Sequence, residues 1–199
     1  MLDESDQLAV ARGLRDGSRE AWAKLYDGYS EDLWRYVARS LGADAAAVAD
    51  VVQEVFVAAA RSARQFDPSR GTLWAWLTGI AHLQIAIYWR QAERNTKIQK
   101  LAEVRAEDMQ RLLDATAAVD EPLERRELAL FVRSVLAELP ADYAALLTAK
   151  YLDERTLVDL AGQFGGSTET IKSKLARARR EFRAKFERAQ REPTRQTQE

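Results

Sequence analysis

Apolar residues recur along this chain at spacings of three and four, with no convincing alternating run, so the pattern predicts an all-α protein. From Glu20 onward, Trp22, Leu25, Tyr26, Tyr29, Leu33, Tyr36 and Val37 fall on one stripe, and Leu41-Gly42 supplies a helix stop. Val48, Val51, Val52, Val55, Phe56 and Ala59 repeat the spacing over residues 44–63. The turn residues of FDPSRGT, Phe66 to Thr72, interrupt it. Leu73, Trp76, Leu77, Ile80, Ile85 and Tyr88 then resume it as a third helix, with Trp76 expected in the core and Trp74 more exposed.

Residues 92–122 are rich in charge and alanine with a less regular stripe, which predicts a partly helical linker between a first domain, 1–91, and a second, 123–190. Beyond Pro122 a helix is expected to about Glu138. Leu139-Pro140 then restarts the chain, with proline near a first turn, and helices follow over about 140–151, 155–164 and 168–189. The tail, 191–199, is expected to fray.

Composition narrows the function. Zero cysteines exclude disulfides and thiolate metal sites, and one histidine, His82, excludes multi-histidine zinc arrangements. No cofactor is expected. No apolar run is long enough for membrane insertion, and the acidic start MLDESDQLAVARGL is unlike a signal peptide, so a cytoplasmic protein is expected. The net charge of −1 hides an uneven distribution. Segments 61–100 and 155–191 are basic, at +5 and +6, whereas 1–60 and 101–154 are acidic, at −5 and −6.

The second basic block, TLVDLAGQFGGSTETIKSKLARARREFRAKF (156–186), has the layout of a helix-turn-helix. Leu157, Leu160 and Ala161 face inward, Gly165 is suited to a positive φ, Ser167 or Thr168 caps the next helix, and Ile171 and Leu175 complete the core. The outer face keeps Thr168, Thr170, Lys172, Ser173, Arg177, Arg179 and Arg180. Side chains near the start of such a helix reach base edges, and cations farther along meet phosphates. Cations at this spacing also solvate ordinary long helices, so the motif alone leaves that reading open.

In the first half, Asp50, Gln53, Glu54 and Val57 stand at helical spacings and form a ridge able to dock on another protein. Around the FDPSRGT turn, basic and aromatic groups interleave: Arg61, Arg64, Arg70 and Arg90 can track phosphates, while Phe66, Trp74 and Trp76 are candidates for base stacking.

DVVQEVF (50–56) together with Leu139-Pro140 and the segment from 148 to 179 resembles the extracytoplasmic-function class of sigma-70 family sigma factors. The resemblance implies two helical domains, region 2-like and region 4-like, which bind core RNA polymerase and promoter DNA to initiate transcription in a stress or envelope response. It implies polymerase contact by Asp50, Gln53, Glu54 and Val57. It implies minus-10 contact through Arg61, Arg64, Phe66, Arg70, Thr72, Trp74, His82, Leu83 and Arg90. Minus-35 contact falls to Thr168, Glu169, Thr170, Lys172, Ser173, Arg177 and Arg180. Restraint by an anti-sigma factor is the family expectation. Where the family commonly has Ile-Ala-Arg-Asn and a later aspartate, this chain has Ile80-Ala81-His82-Leu83 and Ile87. Leu83 lacks the hydrogen-bonding groups of an asparagine.

The rival is a helix-turn-helix regulator that is not a sigma factor, but a phosphate-receiving half would alternate strands and helices. An enzyme is not expected: there is no Gly-rich phosphate loop, metal cluster or nucleophile with a paired base.

Overall fold

The computed structural model of the chain describes residues 4–42, 44–102 and 123–191. Among them every regular element is a helix: α1 (Glu4–Arg15), α2 (Arg19–Leu41), α3 (Ala45–Ser62), a 3-10 turn (Ala63–Gln65), α4 (Leu73–Ala102), α5 (Leu123–Ala137), α6 (Ala141–Tyr151), α7 (Leu157–Phe164) and α8 (Thr168–Arg191). Local chemistry sets several ends. Ser18 accepts from the Ala21 amide at the start of α2, and Asp44 accepts from Ala46 and Ala47 at the start of α3, caps worth about 1 kcal/mol each. Gly42, at φ 99°, ends α2. None of the described helices is long and apolar enough to cross a membrane.

The stripes close into two cores. Leu25, Tyr29, Leu33 and Val37 of α2 pack with Val48 and Val55 of α3 and with Leu77 and Ile85 of α4, and α1 adds Val10, Ala11 and Leu14. Leu136, Leu139, Leu146, Leu160, Ile171 and Leu175 form the second core. The two halves touch. Ala137 and Ala145 join the first core, Phe164 borders both, Arg39 pairs with Asp153 at 3.4 Å, and Arg133 Nε donates to the Arg39 carbonyl at 3.1 Å.

Several expectations need correction. Helix α1 was not legible in the apolar pattern. Helix α4 runs on to Ala102 and so takes in the start of the 92–122 segment; the rest of that segment, 103–122, and the tail, 192–199, lie outside the described residues. Tyr26 is 55% exposed instead of sharing the α2 stripe, and its ring rests 5.0 Å from that of Phe56. Trp74 and Trp76 exchange roles. Trp74 is buried beside Tyr29 and Tyr36, while Trp76 is only partly buried. The reason lies in the direction of packing: Trp74 shares a side of α4 with the buried Thr78, Ala81 and Ile85, whereas Trp76 falls off that line.

Candidate nucleic-acid interface

The loop between the 3-10 turn and α4 is shaped by its own polar groups. Asp67 accepts from the Ser69 amide at 2.9 Å and the Ser69 hydroxyl at 2.7 Å, an Asx-type turn. These bonds hold the Asp67 carboxyl below the usual carboxylate range, with the charges of Arg15 and Arg70 acting in the same direction. Thr72 Oγ1 accepts from the Ala75 amide at 3.1 Å, which caps α4, and donates to the Gln163 carbonyl at 2.5 Å. At the loop tip Ser69 and Arg70 are exposed, and so are Arg61, Arg64 and Arg90, which leaves four guanidinium groups able to meet phosphate.

Three residues expected at the same surface are turned away from it. Phe66, Trp74 and His82 are only 5%, 6% and 7% exposed. The buried Phe66 ring lies tilted against the partly buried Trp76, with centroids 5.0 Å apart. Trp74 is covered by α2 and by Ala145 and Phe164 of the second half, with which it lines a shared cleft. His82 meets Leu139, and burial pulls its pKa down against the smaller, opposing effect of a hydrogen bond that the imidazole donates to the Leu139 backbone. Leu83, on the neighbouring side of α4, is 55% exposed, with the exposed Ile87 one turn further on.

On α3, Asp50, Gln53 and Glu54 are exposed and Val57 is half-buried beside them. Phe56 of the same helix pairs its ring with that of Tyr26 on α2, which adds an apolar element beside that ridge.

The helix-turn-helix is built as its residues require. A capping box joins Thr156 and Asp159 at the start of α7, with bonds of 3.0 and 3.2 Å. Gly165 at φ 78° and Gly166 at φ 93° make the turn, and Ser167 Oγ accepts from the Thr170 amide at 3.2 Å to cap α8. Leu160, Ile171, Leu175 and Ala178 are buried, so the opposite face of α8 is fixed outward. That face exposes Glu169, Thr170, Lys172, Ser173, Arg177 and Arg180, with Thr168 half-buried at its start. Glu169 ties the first turn together: it accepts from Thr168 Oγ1 at 2.8 Å and from Lys172 Nζ at 3.3 Å, and both bonds lower its pKa. Arg179 is directed elsewhere, toward the Tyr151 hydroxyl at 3.3 Å.

The loop itself touches the turn of the helix-turn-helix, while a cleft separates the two faces. A Cβ placed on Gly165 would stand 3.9 Å from Thr72 Cγ2, and a cleft of about 1010 Å³ separates Pro68 and Arg70 from Val158 and Gly162.

Comparison with known proteins gives two matches in chain order, to the family models "Sigma-70 region 2" over residues 25–95 and "Sigma-70, region 4" over residues 132–182. The ECF RNA polymerase sigma factor SigL of Mycobacterium tuberculosis is 28% identical over 159 residues, covering 80% of this chain and 85% of that protein. The ECF RNA polymerase sigma factor RpoE of Cereibacter sphaeroides is 25% identical over 177 residues, covering 87% and 91%. A solved structure of CnrH in complex with the cytosolic domain of CnrY aligns with 90% of this chain and 96% of that one, at 22% identity and a TM-score of 0.45.

Proposed function

The chain belongs to the sigma-70 family, in its extracytoplasmic-function class, and from that premise we propose how its surfaces divide the work of a sigma factor that directs core RNA polymerase to promoters and starts transcription. The α3 ridge of Asp50, Gln53, Glu54 and Val57 docks on the polymerase. Arg61, Arg64, Arg70 and Arg90 hold phosphates at the minus-10 element. Ser69 and Arg70 at the loop tip and the half-buried Trp76 are the groups placed to meet unpaired bases. Phe66, Trp74 and His82 support that surface from beneath.

In the second half, Thr168, Glu169, Thr170, Lys172 and Ser173 face minus-35 base edges, and Arg177 and Arg180 face phosphates. The functional halves are 1–91 and 123–190, joined through 92–122. By their positions the two promoter elements lie roughly 85 Å apart along B-form DNA. Thr72 and Gln163 are in direct contact, so the halves part when both elements are bound.

The observation that carries this reading is that one chain exposes two separate cationic surfaces, one on each of its two matched regions. A helix-turn-helix regulator outside the sigma family leaves the first surface and the α3 ridge without a role. Sigma factors are initiation factors, and we propose no catalytic activity of this chain's own, a cytoplasmic location, and restraint by an anti-sigma factor of the kind the class leads one to expect.

The test is transcription with purified core polymerase on fragmented genomic DNA. Discrete start sites that depend on the added protein are expected, and their absence overturns the reading. The free protein should bind duplex promoter DNA weakly; nanomolar specific binding at physiological salt, without polymerase, counts against it.

A further inference from the structure

The loop that presents Ser69 and Arg70 has two feet, and α1 holds both. At the first foot, Arg15 in the last turn of α1 donates to the Phe66 carbonyl from Nη2 at 2.6 Å and from Nε at 3.1 Å. At the second, Gln7 Oε1 accepts from the Leu73 amide at 3.4 Å. Leu73 opens α4, where amides have no partner within their own helix, so an outside acceptor satisfies a group the helix leaves over.

The helix that carries these two side chains is itself firmly seated. Val10, Ala11 and Leu14 are at most 2% exposed. Gly13 lets α1 approach α2 so closely that a Cβ there would stand 2.6 Å from the Cβ of Ala21. Arg15 and Gln7, two turns apart, are thus fixed points at the ends of a packed bar.

Within the loop the bonds of Asp67 to Ser69 are local and set only the shape of the turn. They do not fix where the turn stands relative to α4. Arg15 does, because its planar guanidinium places two donors on one carbonyl and so restrains direction as well as distance. The charge of Arg15 also bears on Asp67, the next residue, and helps keep that carboxylate ionised.

We propose that α1, which lies ahead of the segment matched to region 2, is a bracket for the minus-10 loop, with Arg15 and Gln7 as positioning residues for Ser69 and Arg70. This rests on the assignment of that loop to minus-10 DNA. A loop ordered in advance does not have to be ordered on binding; releasing either foot returns that entropic cost to the DNA-binding step.

The experiment uses full-length Arg15→Ala, Arg15→Lys and Gln7→Ala with core polymerase, on promoter libraries randomised at the minus-10 element or at the minus-35 element. Initiation by Arg15→Ala should fall roughly tenfold, with a flattened base preference at minus-10 and an unchanged one at minus-35. Arg15→Lys, which keeps a donor and loses the fork, should recover part of the loss. Gln7→Ala should shift the profile in the same direction by less. An Arg15→Ala profile equal to wild type, or a loss spread evenly over both elements, overturns the bracket.

Amide hydrogen exchange at residues 67–72 of the free protein supplies a readout independent of transcription. Faster exchange in Arg15→Ala is expected, and unchanged protection refutes the proposal. Should wild type itself start no promoter-dependent transcripts, the sigma assignment fails while exchange still decides whether α1 holds the loop. If Arg15→Ala lowers helicity, Gln7→Ala decides, since it leaves the apolar seat of α1 intact.

Discussion

The Thr72 hydroxyl donates a 2.5 Å hydrogen bond to the carbonyl of Gln163, ninety-one residues away, and so joins the loop that leads into α4 to the end of α7. The same oxygen caps α4 through the Ala75 amide. Thr72→Val removes both bonds and should cost about 1 kcal/mol in urea unfolding, together with a longer distance between fluorophores placed on α3 and α8. Thr72→Ser keeps both bonds and should resemble wild type. Equal distances in all three proteins would mean that this bond does not hold the halves together.

Exposed polar positions rarely carry a fold, so Asp50→Ala with Gln53→Ala should leave the melting temperature nearly unchanged while weakening core polymerase binding about tenfold. Fluorescence anisotropy with labelled protein measures the second and calorimetry the first. Normal binding would remove α3 from the polymerase interface.

Lys172 and Arg180 should separate reading from anchoring. Lys172→Ala is expected to relax base preference at minus-35 by about 1–3 kcal/mol at one position, and Glu169→Ala, which unties Lys172, should alter the same position. Arg180→Ala should weaken all promoters alike and lower the salt dependence. Selection from a promoter library at two salt concentrations checks both. Unchanged preference in Lys172→Ala would take it out of the specificity set.

The exposed Leu83 has no hydrogen-bonding group, so the base contact open to it is with the methyl group of thymine. Replacing thymine by deoxyuridine in the upstream minus-10 duplex should reduce initiation by wild type and leave Leu83→Asn less affected. Identical sensitivity of the two proteins would exclude that contact.

His82 supplies a pH dependence. Burial lowers its pKa from the usual 6.5, so the folded state binds fewer protons than the unfolded one. The stability it contributes is complete above that value and declines as pH falls through 6.5 toward the depressed pKa. The pKa values of Asp67, Asp159 and Glu169 are also lowered, but from carboxylate values, so their contributions are lost only in more acidic solution. Between pH 7 and 5.5 the melting temperature of wild type should therefore drop more steeply than that of His82→Gln. Parallel slopes would show that His82 does not report this packing.

The sequence by itself determined whatever depends on neighbours along the chain. Positive φ at Gly165, the Ser167 cap, and the burial of Leu160, Ile171 and Leu175 follow from helical periodicity and the conformational freedom of glycine. These are local properties, and they set the outward face of α8 except at Arg179, which turns to Tyr151. Tertiary structure alone decided which tryptophan of α4 is covered, because Trp74 and Trp76 both border the apolar stripe and the choice falls to Tyr29, Tyr36 and Ala145, far away in sequence. It also decided that Phe66 turns inward against Trp76. The part played by α1 was hidden for the same reason: Arg15 lies fifty-one residues from the carbonyl it holds, and a bond of that span leaves no periodicity in the chain that makes it.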